Sequence, residues 1–192
     1  VSALLTEVTL GGKLDADIAV LELDEAYAVH FVKQVKPRYA LLLNVMRDQL
    51  DRFGEIDTTA KLLSHVAAAT TGTVVLNRED PRIAALAAKA PAGTTVRYFG
   101  LADDLRRYFP SDDDMATTVS VEGVAGPLPS ARTPLSPRSE LRGASAGTAE
   151  LPADVTLTAV GDHKATFQMD GQGCATDVKL EGVYNLYNAA AA

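Results

Sequence analysis

Short apolar runs alternate with amphipathic stretches through the first half of the chain. Residues 16–23 (ADIAVLEL), 38–45 (RYALLLNV), 73–77 (TVVLN) and 94–100 (TTVRYFG) are rich in Val, Leu and Ile and suit strands covered on both faces. Between them, 57–70 (DTTAKLLSHVAAAT) and 80–90 (DPRIAALAAKA) have helical character. The second opens with Asp80 at an N-cap position and Pro81 at the first helical position. This alternation predicts a doubly wound, mostly parallel α/β sheet, whose ligands sit beyond the carboxyl ends of the strands. From about Ser111 to Pro152 the chain turns to Pro, Gly, Ser and Ala with little apolar content, which reads as an insertion or loop. Residues 154–160, 164–171 and 175–182 then alternate apolar and polar positions around Gly-Asp and Asp-Gly turns, predicting a small antiparallel meander. The closing GVYNLYNAAAA begins another helix.

With 192 residues, 47% hydrophobic and 22% charged, the composition is that of one ordinary globular domain. No run approaches the roughly 18 apolar residues of a membrane helix, and the start lacks a basic leader, so a cytoplasmic protein is expected. The single cysteine, Cys174, makes no internal disulfide and by itself builds no Cys-based zinc site. A formal charge of −7 argues against a general nucleic-acid surface and favours a small molecule or a protein as partner.

Three polar clusters fall after apolar runs. Glu22, Asp24 and Glu25 place three carboxylates within four residues at the end of the first run. Such groups suit Mg²⁺, which prefers oxygen ligands and shares its shell with phosphates and water, or they form a solvated acidic loop. The second cluster, Asn44 to Glu55, includes Arg47, Asp48, Gln49, Asp51 and Arg52. It suits a site handling metal and anionic groups, or a surface salt-bridge network. In the third, Asn185 and Asn188 lie at i and i+3 on one helix face, where side-chain amides can read a purine edge or one of them can cap the helix. Lys61 on a predicted helix is read as an exposed residue in preference to a modified metal-supporting lysine. His30, His65 and His163 lack metal-ligand spacing.

In this order LELDEAY, LLLNVMRDQLDRFGEIDTT, VVLNREDPRIAAL and GVYNLYNAAAA resemble the central domain of Mur ligases, over nearly the whole chain apart from about 103–152. The string RDQLDRFGEIDTT is the most specific: it resembles the amidating members, whereas those that add amino acids usually carry a histidine where Gln49 stands. The resemblance implies a P-loop NTPase-like fold and the cofactors ATP and Mg²⁺. It implies amidation of the D-glutamate carboxylate of the lipid II stem peptide to D-isoglutamine in peptidoglycan biosynthesis, with ammonia from a GatD-type glutamine amidotransferase partner. It gives Glu22 to Mg²⁺ and to catalysis together with Asp48 and Gln49, gives Asn185 and Asn188 to adenine, and makes Asn77 and Asp80 turn residues near the nucleotide. It also makes residues 1–192 a fragment, inactive alone, with the phosphate loop preceding Val1 and a C-terminal ligase domain following Ala192. Some members carry a four-cysteine zinc ribbon in this domain; the 103–152 insertion has no cysteine, so no zinc is expected. The alternatives are another Mur-type amino-acid ligase, such as folylpolyglutamate synthetase, and a non-catalytic docking domain.

Overall fold

The computed structural model describes residues 8–9, 11–13, 16–45, 55–109, 151–161, 163–177, 179 and 183–192, with the backbone alone for Glu55, Ile56, Val183 and Tyr184. A six-stranded sheet runs in the order β1 (Tyr39–Leu42), β2 (Thr73–Asn77), β3 (Thr95–Leu101), β4 (Val155–Gly161), β5 (Lys164–Met169), β6 (Gln172–Asp177). The first four strands pair in parallel, and β4, β5 and β6 are antiparallel. The mixed sheet is thus the α/β arrangement that the apolar runs predict.

The alternation of side chains along the strands divides the core between the two sheet faces. Ala40, Leu42, Val74 and Leu76 face one layer of helices: α1 (Glu25–Gln34), α2 (Glu55–Ala69) and α3 (Pro81–Ala84), the last continued by a 3₁₀ turn over Ala85–Lys89. Phe99, Leu101 and Leu157 belong to a second core with Leu105 and Phe109 and with Leu186, Tyr187, Ala190 and Ala191 from α4 (Val183–Asn188) and the 3₁₀ turn that follows it. Helices on both faces make the sheet doubly wound.

Local signals explain most element ends. Asp24 caps α1 by accepting from the Ala26 and Tyr27 amides at 2.9 and 3.3 Å, and Ala28 and Val32, one turn apart, bury its inner face. α2 buries Leu63, Val66 and Ala67, the spacing of an amphipathic helix. The turn between β5 and β6 places Asp170 and Gly171 at φ 49° and 81°, the two positive values a type I′ hairpin needs.

Three expectations are corrected, and a fourth is borne out with a change of helix type. Residues 16–23 form no strand: among the described residues nothing pairs with their backbone, and Ile18 and Val20 are 74% and 90% exposed. An apolar run becomes a strand only where a neighbour completes its backbone hydrogen bonds. The helical character expected over 80–90 is present, with Asp80 as the N-cap and Pro81 at the first position; the segment is α-helical to Ala84, tightens to 3₁₀ and stops at Ala90, which is extended (ψ 135°) because Pro91 disfavours the helical conformation before it. The last meander strand, Gln172–Asp177, begins at Gln172 and not at 175, since the two-residue turn pairs Met169 with Gln172. The start of the 103–152 segment belongs to the fold: Leu105 and Phe109 are buried in the second core. Residues 110–150, which carry the rest of that segment, lie outside the described residues.

Candidate functional site

β2 delivers Asn77, Arg78, Glu79 and Asp80 in succession at its carboxyl end, where the sheet type places ligands. Asn77 is 4% exposed, and its Oδ1 accepts from the Glu79 amide at 2.8 Å and from the Tyr187 hydroxyl of α4. The side-chain oxygen stands in for a backbone turn acceptor and forces the chain out of the strand. It also locks α4 onto the sheet. The Tyr187 ring is tilted against Phe99 and Phe109, with centroids 5.1 and 5.5 Å away. Burial pushes its phenol well above the ordinary range; the nearby Glu79 carboxylate adds to the rise, and Arg78 opposes it.

Arg78, 8% exposed, lies across Gly100. Its Nε and Nη2 donate to Glu79 Oε1 at 2.9 and 2.6 Å, Nη2 also to the Leu101 carbonyl at 2.7 Å, and Nη1 to the Leu151 carbonyl at 3.3 Å. Glu79 Oε1 accepts from the Leu101 amide at 3.0 Å, and Glu79 Oε2 is ion-paired with Arg106 Nε at 3.1 Å, although that N–H is not aligned for a hydrogen bond. Two cations around one carboxylate keep this nearly buried charge compensated. Asp80 caps α3, its Oδ1 accepting from the Arg82 and Ile83 amides at 2.9 and 3.2 Å, while its Oδ2 accepts from the Val45 amide beyond β1 at 2.8 Å. Every one of these groups is engaged within the protein, so the junction aligns the exits of β1, β2 and β3.

The residues singled out from the sequence fall differently. Glu22 is exposed in a coil, not at the end of a strand, and its carboxylate makes no hydrogen bond or ion pair among the described residues. Asp24, two positions on, is occupied as the α1 cap and does not stand at the end of a strand. Asp48 and Gln49 lie outside the described residues. Asn185 and Asn188 share α4, Asn185 exposed and Asn188 half-buried, and the Oδ1 of Asn188 is buried with no hydrogen-bond partner among the described residues. Lys61 is exposed on α2. No group of three or more His, Cys, Asp or Glu able to hold a metal occurs among the described residues. The Arg78, Glu79 and Arg106 network was not singled out; its one sequence signal is the charged triplet Arg78-Glu79-Asp80 directly after an apolar strand.

A mixed sheet whose parallel strand exits are tied together, with helix α4 docked over one of them, defines an α/β domain. The Mur ligase middle domain family matches residues 4–125, and the chain belongs to that family. It is 30% identical over 189 residues to the lipid II isoglutaminyl synthase (glutamine-hydrolyzing) subunit MurT of Streptococcus pneumoniae, a match spanning 94% of this chain and 40% of that protein. The subunit of the same name from Staphylococcus aureus (strain COL) is 34% identical over 84 residues, 44% of this chain and 18% of that one. Among solved structures, a pseudomurein peptide ligase type C from Methanothermus fervidus shares the fold, with a TM-score of 0.52 at 15% identity over 84% of this chain and 31% of that one. The chain spans about two fifths of the length of the S. pneumoniae relative. Among the described residues, no helix is long and apolar enough to cross a membrane.

Proposed function

We propose that this chain is the nucleotide-binding domain of a cytoplasmic ATP-dependent ligase that amidates the D-glutamate carboxylate of the lipid II stem peptide, giving D-isoglutamine. The observation that carries this reading is the match to the S. pneumoniae MurT subunit over 94% of the chain. A carboxylate is a poor electrophile. Transfer of the ATP γ-phosphoryl group to one of its oxygens gives an acyl phosphate and ADP, and ammonia then attacks the carbonyl carbon and expels phosphate. Ammonia is supplied by a GatD-type glutamine amidotransferase, and Mg²⁺ offsets charge between the two anionic reactants.

Asn185 and Asn188 are assigned to adenine. The buried Oδ1 of Asn188 supports this, because an unpaired buried acceptor costs about 1–3 kcal/mol and the exocyclic amino group of adenine offers the missing donor. Glu22 is assigned to Mg²⁺; one exposed carboxylate fits an ion that keeps several waters and binds substrate phosphates. Asp48 and Gln49 are assigned to the reacting carboxylate and phosphate. No zinc takes part: Cys174 is exposed on β6, and a ribbon needs four thiolates.

The test uses the full-length protein with its amidotransferase partner, lipid II, glutamine and ATP. Release of ADP together with conversion of the carboxylate to a carboxamide, read by mass spectrometry, is expected. Addition of an amino acid in place of ammonia would move the protein to the amino-acid-adding ligases, and absence of Mg²⁺-dependent ATP binding would make it a docking domain.

A further inference from the structure

We infer that Tyr187 is a positioning residue for base recognition: its hydroxyl, bonded to Asn77, fixes helix α4 against the end of β2 and so holds the buried Asn188 oxygen where an amino group can donate to it. The inference rests on the assignment of Asn188 to adenine made above, and adds a residue whose own side chain is buried and engaged within the protein. Asn77 and Phe99 are paired across β2 and β3, and Tyr187 meets both members of that pair. Its ring is tilted against Phe99 with centroids 5.1 Å apart, and its hydroxyl donates to Asn77 Oδ1. Asn77 is a firm anchor, because it is buried itself and the same oxygen holds the Glu79 amide at 2.8 Å.

Helix α4 spans six residues, too few to hold shape or place without tertiary contacts. Among its described side chains Leu186 is the other buried one, packed in the second core with Ala190 and Ala191 of the 3₁₀ turn that follows. Apolar burial is non-directional and by itself lets a short helix turn or slide slightly. A hydrogen bond is directional, and its donor–acceptor distance is confined to a range of about 0.5 Å. Asn188 is the next residue, about 100° around the helix and about 1.5 Å along it, so what fixes Tyr187 also fixes Asn188. Asn188 stands at the start of the 3₁₀ turn, yet its side chain makes no capping bond there, and its Oδ1 is buried with no hydrogen-bond partner among the described residues. That oxygen serves no local turn and is left as an acceptor for a bound group. The exocyclic amino group of adenine donates to such an oxygen, whereas hypoxanthine, with a carbonyl oxygen at the same place, sets acceptor against acceptor.

Isothermal titration of the full-length protein in Mg²⁺, with a non-hydrolysable ATP analogue and with its inosine counterpart, tests this. The wild type should bind the adenine form at least about 10-fold more tightly. Tyr187→Phe keeps the ring contacts and removes the tether. Its affinity for the adenine form should fall about 5-fold or more while that for the inosine form changes less than about 2-fold, so that the preference narrows. Leu186→Val trims packing on the same helix and keeps the bond; it should lower the melting temperature and retain the wild-type preference. A tyrosine with a merely structural role would weaken both nucleotides alike or neither, and either result would overturn the inference. A preference narrowed as much by Leu186→Val as by Tyr187→Phe would overturn it too, since packing and not the bond would then set the position of Asn188. If the wild type binds both forms equally, or neither, the assignment of Asn188 to adenine fails and the role of Tyr187 fails with it; a wild-type preference that survives Tyr187→Phe removes Tyr187 alone.

Discussion

Gly100→Ala is a small change at a place where the structure makes it costly. Gly100 pairs with Thr156 next to the carboxyl end of β3, and a Cβ there would come within 2.7 Å of Arg78 Nε and 2.8 Å of both Cζ and Nη2. Alanine in place of glycine within a strand is ordinarily favourable by roughly 0.5–1 kcal/mol through lost chain entropy. Here the guanidinium cannot step aside freely, since it donates twice to Glu79 and once each to the Leu101 and Leu151 carbonyls. Hydrogen bonds to charged groups contribute about 1.5–3 kcal/mol each. Losing two of the four and gaining the alanine term leaves a net destabilisation of about 2–5.5 kcal/mol. Urea unfolding followed by circular dichroism measures it. A double-mutant cycle with Arg78→Ala isolates the cause: without the guanidinium, Gly100→Ala should be neutral or slightly stabilising. A cost within about 0.5 kcal/mol of zero in the wild-type background, or an equal cost in both backgrounds, would refute the reasoning.

Tyr187→Phe keeps the ring contacts with Phe99 and Phe109 but removes the donor to Asn77, so it should cost about 1 kcal/mol near neutral pH. Because the folded-state phenol titrates above the unfolded one, its contribution is complete below pH about 10 and declines above it by up to about 1.4 kcal/mol per pH unit; the Phe variant should lose that part of the decline. Glu22→Gln in the full-length protein should lower amidation by orders of magnitude at saturating ATP, and near-normal turnover across a Mg²⁺ titration would remove Glu22 from the metal. Asn188→Ala should raise the ATP requirement and leave the melting temperature nearly unchanged, since it deletes an acceptor that has no partner among the described residues, and adding Asn185→Ala should raise the ATP requirement further; unchanged ATP affinity would remove the pair from adenine.

The parallel strands were legible because their apolar runs are short, rich in branched residues and bounded by polar turns, a pattern strong enough to place β1, β2 and β3 to within a few residues. The same pattern misled at 16–23, since composition reports that a segment favours extended backbone and is silent on whether a neighbour pairs with it. There the error carries into the site: Asp24 counts in the sequence as one of three carboxylates at a strand's end, when it is the cap of α1, a helix the apolar runs do not predict. Asp24 followed by Glu25 and Ala26 is an ordinary helix start. Leu105 and Phe109 were hidden by the Pro- and Ser-rich stretch beyond them, because a compositional average over 103–152 dilutes two buried anchors at one end.

The strand-exit junction was illegible for a different reason. Asn77 and Tyr187 are 110 positions apart, and Arg78 bonds to Leu151 across 73. No local period or spacing carries such pairings. What the structure adds is a division of labour among polar groups that look alike in the sequence. Asn77, Glu79 and Asp80 have their side-chain oxygens satisfied by the protein, and the Arg78 guanidinium donates to Glu79 and to two carbonyls. Asn188 presents a buried acceptor with no partner among the described residues, one helix position from the tyrosine that locks α4 to β2. A satisfied network resists change and holds strand ends in place, whereas an unsatisfied acceptor is stabilised only when something donates to it. Substitutions in the first group should therefore register chiefly in unfolding free energy. Substitutions at Asn188 should register in ligand affinity, and it is the separation of those two readouts that distinguishes scaffold from site.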